Sequence, residues 1–277
     1  MQKLIRFFFF HHIVIALSAA ALCMQTFLFY QITFYSIPLL LFVFCATLLS
    51  YNVHFFLAAE KSRSSEQLRW FHSTRKFTLA FNFITLLFTL WYWWQIREIS
   101  LYIFISIVIN ASYTAPLLLN RPLRLPGFLT LIKSYLIGFV WAYVTVVLPM
   151  IYTEIQLDAN GVVLFVNRLL LVAIATLIFD YRDKLKDFEF GVYTPANKMN
   201  ENQFSLFFLL NTFIYFLSIL LLAYYFQNYL HLLQLLNCFI LFYLFQQSKK
   251  QNSDFFYLGW VDGVLILSFL LSLFLPF

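Results

Sequence analysis

The sequence predicts an all-α membrane protein, and three observations carry that reading. Of its 277 residues, 62% are hydrophobic and only 11% charged, whereas an average soluble domain is about a quarter charged. The apolar runs are continuous and about 20 residues long, the length a helix needs to cross a bilayer core. A membrane barrel would instead show shorter runs of alternating polarity. No polar stretch exceeds about 25 residues, well under the usual minimum of about 50 for a soluble domain. Residues 1–277 therefore read as a single polytopic membrane domain with a mean hydropathy of +0.81.

Nine apolar segments are expected to form membrane helices, at roughly 8–30, 34–58, 77–96, 99–119, 128–150, 162–180, 203–226, 228–247 and 256–276. The polar break Gln95-Ile96-Arg97-Glu98 separates the third from the fourth. Asn228 and His231 mark a tight turn before the eighth. The first segment follows the basic Met1-Gln2-Lys3-Leu4-Ile5-Arg6, and no small-residue cleavage site ends it, so it reads as a retained helix.

Basic residues set the orientation. Lys3, Arg6, Lys61, Arg63, Arg69, Arg75, Lys76, Arg121, Arg124, Arg182, Lys184, Lys186, Lys198, Lys249 and Lys250 fall on one side, and Arg97 falls on the other. Cytoplasmic loops collect Lys and Arg. The N-terminus is thus expected in the cytoplasm, of a bacterial inner membrane, with Phe277 outside. The net charge of +6 is spread over these loops with no separate basic domain, so it is a topology signal and not a nucleic-acid footprint. The partners expected from this composition are membrane lipids.

Chemistry concentrates at Phe179-Asp180-Tyr181-Arg182-Asp183-Lys184-Leu185-Lys186-Asp187. Its acids fall at i, i+3 and i+7, within about 60° of one another around a helix. They follow the apolar run that ends at Phe179, where a span should meet water. Such acids repel unless something positive lies among them. A hard divalent cation carrying a diphosphate would supply that charge. The interleaved Arg182, Lys184 and Lys186 would also neutralise it, leaving a self-paired helix end.

Other polar residues read more plainly. Arg168 stands 12 residues before Asp180, about 18 Å deeper along a helix, and Asp262 lies within the last span. Charges at such depths face the interior and find partners, so both are expected to be structural anchors. His11-His12 reads as interfacial packing. Cys23, Cys45 and Cys238 form no CxxC pair and are expected as small packing residues. The 37 Phe suit a lipid-facing surface or an aromatic pocket for a long chain.

The run from Phe179 to Asp187, followed by Gly191 and Thr194-Pro195, resembles the second aspartate-rich motif of the UbiA-type membrane prenyltransferases. Tyr113-Thr114-Ala115-Pro116, ahead of the basic turn with Arg121 and Arg124, is similar to a second segment of that family. The likeness spans essentially the whole chain, and its sharp part is the second motif. The first motif departs from the family's Asn-Asp-x-x-Asp-x-x-x-Asp. It keeps Asn52, has Val53 and Phe56 in place of two aspartates, and has Glu60 at the third.

The resemblance implies a UbiA-like bundle of nine helices that transfers an isoprenoid from a prenyl diphosphate to a lipophilic or aromatic acceptor. It implies Mg²⁺ held by Asp180, Asp183 and Asp187 with Glu60 or Asn52 opposite. It also implies substrate contacts from Asn52, Arg63, Tyr113, Arg121, Arg124, Arg182 and Lys184. The alternatives are an impaired homologue that binds a polyprenyl lipid or quinone, or a small transporter.

Overall fold

The computed structural model describes residues 2–32, 36–61, 65–118, 132–189, 192–251 and 253–275. Among them every regular element is helical. We number the helices α1 (Gln2–Phe10), α2 (Ile13–Phe29), α3 (Ile37–Lys61), α4 (Glu66–Ser73), α5 (Arg75–Gln95) and α6 (Ser100–Leu118). They continue as α7 (Lys133–Tyr152), α8 (Ala159–Glu189), α9 (Pro195–Lys198), α10 (Glu201–Tyr225), α11 (Tyr229–Ser248) and α12 (Phe256–Ser272).

A helix lies in each of the nine expected segments. Six helices, α3, α5, α7, α8, α10 and α11, are long and apolar enough to cross a membrane, and the bent pair α1–α2 makes a possible seventh. The nine crossings expected from the sequence are therefore not all established by length and apolarity; α12, for one, is a shorter apolar helix.

The buried core runs along α8. Most of its apolar window, 61%, is buried, against 17% for α5. The sequence explains the difference. α8 carries small and branched residues on every face, among them Leu171, Val172, Ala173, Ile174, Ala175, Leu177 and Ile178, all buried. α5 presents Phe77, Phe83, Phe88, Trp91 and Trp94, all largely exposed. With hydrocarbon as the solvent, exposed aromatic side chains cost nothing. α8 packs against α7 and α10, α2 against α3 and α12, and α5 against α3.

Close approach of α7 to α8 depends on Gly138. A Cβ there would lie 2.5 Å from the Leu169 carbonyl oxygen and 3.3 Å from Ala173 Cβ. Small residues permit such contacts between membrane helices.

α7 also contains a π-helical stretch at Tyr143–Val147, and Pro149 accounts for it. A proline has no N–H for the carbonyl four residues earlier and its ring crowds that carbonyl. The carbonyl concerned is that of Thr145, which instead accepts from Thr26 Oγ1 of α2 at 2.6 Å. The irregular turn thereby becomes a cross-link between helices.

Arg168 is an interior anchor. Its guanidinium donates to the Leu22 carbonyl (2.8 Å), Thr145 Oγ1 (3.2 Å) and Gln25 Oε1 (2.6 Å). Gln25 in turn donates to the Ser268 carbonyl at 2.7 Å, and Gln234 reaches the same carbonyl at 2.8 Å. A polar chain thus ties α2, α7, α8, α11 and α12 together. Asp262 contributes its backbone, whose carbonyl accepts from Ser18 at 3.3 Å.

α1 meets α2 at a bend of 50°, with His12 in the left-handed region at φ 59°. The His11 ring packs on Phe7, Phe71, Phe77 and Phe81, while Gln67 Nε2 lies 2.9 Å from His12 Nε2. The three cysteines are buried and unpaired.

Candidate functional site

The acidic end of α8 meets the start of α7. Lys133 places its Nζ 3.4 Å from Asp180 Oδ1 and 3.4 Å from Asp187 Oδ2. Ser134 donates to the other Asp180 oxygen at 2.5 Å. Asp180 is the deepest of the three acids, with its side chain 3% exposed, so both of its oxygens are satisfied by protein groups.

Asp183 turns to another partner. Arg182 grips it with a two-pronged contact, Nε to Oδ1 at 3.0 Å and Nη2 to Oδ2 at 2.8 Å. The same guanidinium lies 3.8 Å from Asp254 and covers the rings of Tyr257 (4.6 Å) and Phe179 (5.2 Å). Asp254 also accepts from the Gln67 backbone N–H at 3.0 Å. The chain from α4 through Asp254 to Arg182 therefore ties α4 to the acidic helix. Lys184 sits over the Tyr181 ring at 4.2 Å.

Below the acids, Asn197 fastens the following turn to α8. Its side chain accepts from the Thr194 N–H at 3.0 Å and donates to the Val192 carbonyl at 2.9 Å and to the Lys184 carbonyl of α8 at 3.4 Å.

The residues of the first motif are engaged elsewhere. Glu60 faces Arg75 of α5 at 3.5 Å, and the Arg75 guanidinium lies 5.9 Å from the Phe56 ring centre. Asn52 donates to the His11 carbonyl at 3.0 Å and its oxygen lies 3.4 Å from His11 Nδ1. It holds the α1–α2 bend. Arg63, Arg121 and Arg124 lie outside the described residues, as does the side chain of Tyr113.

These placements bear on the expected metal. Asp180 and Asp187 share Lys133, Asp183 is held by Arg182, and Glu60 faces Arg75. Among the described residues no three His, Cys, Asp or Glu side chains are grouped to hold an ion. Mg²⁺ requires oxygen ligands at about 2.1 Å in near-octahedral order, and these carboxylates are already committed to Lys133, Ser134 and Arg182. As arranged, the residues do not fit the ion.

Lys133, Ser134 and Asp254 were not singled out by the motif. Lys133 carried a usable signal, since it is a lone cation a few residues inside an expected span, and such charges seek interior partners. Asp254 follows Lys249-Lys250 in a polar stretch and has no such mark.

The whole chain can be compared with a solved structure of digeranylgeranylglyceryl phosphate synthase, a UbiA-type membrane prenyltransferase. The two align over 98% of this chain and 99% of that one, with a TM-score of 0.54 and 16% sequence identity. The chain has the UbiA-type fold. At that identity the likeness is one of architecture: the helices are shared, and the side chains at the site must be judged on their own geometry. No family model and no curated protein matches the sequence. The UbiA-type fold and the apolar helices make this an integral membrane protein.

Proposed function

We propose that this chain is a UbiA-type prenyltransferase of a bacterial inner membrane. It takes an isoprenoid from a prenyl diphosphate and transfers it to a lipophilic or aromatic acceptor at the cytoplasmic end of the bundle. The observation behind this reading is the convergence of Asp180, Lys133 and Asp187 with Asp183, Arg182 and Asp254 at one end of a UbiA-type fold.

The reaction breaks a carbon–oxygen bond. The electron pair leaves with the diphosphate and an allylic cation remains. Lys133, Arg182 and Lys184 supply positive charge where the leaving group develops negative charge; Arg121 and Arg124 are assigned to the same role by family resemblance alone. The acceptor then attacks the cation, and its proton passes to a carboxylate. Asp187, whose side chain is 19% exposed against 3% for Asp180, is the accessible one. Arg63 and Tyr113 are assigned to substrate contact by family resemblance alone.

UbiA-type enzymes generally use Mg²⁺. Here Asp180 and Asp187 are engaged by Lys133, Asp183 by Arg182 and Glu60 by Arg75.

A second reading has a specific observation in its favour. Val53 and Phe56 stand where a working first motif carries acids, and Glu60 is paired with Arg75. A protein so altered would bind a polyprenyl lipid or quinone without transfer.

Purified protein incubated with labelled prenyl diphosphates and membrane lipid extract tests both. Diphosphate release with label in a new lipid product, reduced by Asp187→Asn, supports transfer. Saturable binding with no release supports the second reading. Neither binding nor release would defeat both.

A further inference from the structure

We propose that Lys133 is the resident cation of the acid cluster, so that the chain takes up a prenyl diphosphate without a divalent metal. The diphosphate half of this statement rests on the function proposed above. The resident-cation half stands on geometry.

A metal bridging acids to a diphosphate does two things: it relieves repulsion among the carboxylates, and it presents positive charge to phosphate oxygens. Lys133 already does the first. Its Nζ is equidistant from Asp180 Oδ1 and Asp187 Oδ2 at 3.4 Å, which places it between the two acids. Ser134 fills the remaining Asp180 oxygen. Arg182 does the same for Asp183, using both oxygens. A hydrated Mg²⁺ keeps several waters, and Asp180, at 3% exposure, has no space for them.

The opposite wall agrees. Val53 and Phe56 offer no ligand, and Glu60 is turned to Arg75. An incoming dication would have to displace Lys133 from the acids, with the Arg182 guanidinium held close by on Asp183.

Lys133 can also do the second job. An ammonium has three donors on a flexible stem, and this one is 34% exposed rather than sealed. Its two contacts at 3.4 Å are longer than the 2.7–2.9 Å of a tight charged hydrogen bond. A phosphate oxygen arriving at the mouth can therefore draw one N–H away while the acids keep the ammonium charged and in place. Val53 and Phe56 in the first motif and Lys133 among the second-motif acids thus suit the same arrangement, a side-chain cation in place of a metal.

The test uses the full-length protein in detergent, a non-cleavable thiolo analogue of geranylgeranyl diphosphate, and Mn²⁺ as a spectroscopic stand-in for Mg²⁺. The analogue should bind the wild type equally well in EDTA and in Mg²⁺. Lys133→Gln should weaken binding in EDTA about ten- to hundredfold, the equivalent of one charge-assisted hydrogen bond, with recovery in Mg²⁺. Wild-type binding that collapses in EDTA overturns the proposal.

Mn²⁺ titration by electron paramagnetic resonance, with no diphosphate present, judges the resident cation separately. The wild type and Lys133→Arg should take up no Mn²⁺, and Lys133→Gln should take up one per chain. A wild-type Mn²⁺ site abolished by Asp183→Asn refutes the idea, as does a folded Lys133→Gln that still excludes Mn²⁺. Should Lys133→Gln fail to fold, the wild-type titration alone decides. If the analogue binds in neither medium, the function proposed above fails, while the Mn²⁺ result still supports or refutes the resident cation.

Discussion

Replacing Arg182 by Met should loosen the basic end of the bundle, and the size of the effect follows from its contacts. Arg182 makes two hydrogen bonds to Asp183, a longer pair with Asp254, and lies over two rings. Methionine keeps much of the apolar stem but leaves two carboxylates without their cation. Removing one partner from a fully buried pair costs about 3–5 kcal/mol. The Asp183 and Arg182 side chains are 28% and 18% exposed, so solvent screens part of this and about 2–3 kcal/mol is expected. At about 2–4 °C per kcal/mol for chains of this order of size, the melting temperature in detergent should fall by about 4–12 °C. Adding Asp183→Asn should recover part of the loss, because one orphaned charge disappears. A change within about 0.5 kcal/mol, the range of an ordinary surface substitution, would refute the view that Arg182 staples α8 to the Asp254 segment.

Three further outcomes are expected. Gly138→Leu should separate α7 from α8, since even a Cβ meets the Leu169 carbonyl at 2.5 Å; overpacking of this kind costs about 1–3 kcal/mol, and prenyl diphosphate binding should weaken as Lys133 moves off the acids. Arg168→Ala should lower thermal stability by several degrees, because Gln25, Thr145 and the Leu22 carbonyl lose their donor; an unaltered melting curve would contradict its role as an anchor. Asn52→Ala removes the hydrogen bond that holds the His11 carbonyl, about 1–3 kcal/mol for a buried group left unpaired, so stability should drop while prenyl diphosphate affinity stays near the wild-type value.

The helical layout was legible in the sequence because hydrocarbon imposes it. A helix lies in each of the nine expected segments, and the polar breaks at Gln95 to Glu98 and at Asn228 fall at the junctions of α5 with α6 and of α10 with α11. The structural use of Arg168 was legible for the same reason, since a charge at that depth must find partners. What the sequence did not reveal is who pairs with whom. Lys133 reaches Asp180 only because Gly138 lets α7 lie close to α8, a tertiary contact with no local signature. Asp254 reaches Arg182 through the return of the chain between α11 and α12. The bend at His12 arises from a left-handed residue and its ring contacts with neighbouring elements. The resemblance sets Glu60 or Asn52 opposite the acids of the second motif, and the folded chain turns Glu60 to Arg75 and Asn52 to His11. Neither choice could be read from spacing.

The most direct test of the candidate site is photo-crosslinking of the full-length protein with a benzophenone-bearing prenyl diphosphate, followed by peptide mapping. Label should fall on the start of α7, around Lys133 and Ser134, and on α8 from Phe179 to Asp187, and excess unlabelled prenyl diphosphate should compete it away. Label confined to the lipid-facing aromatic side of α5, or label that unlabelled diphosphate does not displace, would contradict a prenyl diphosphate site at this end of the bundle.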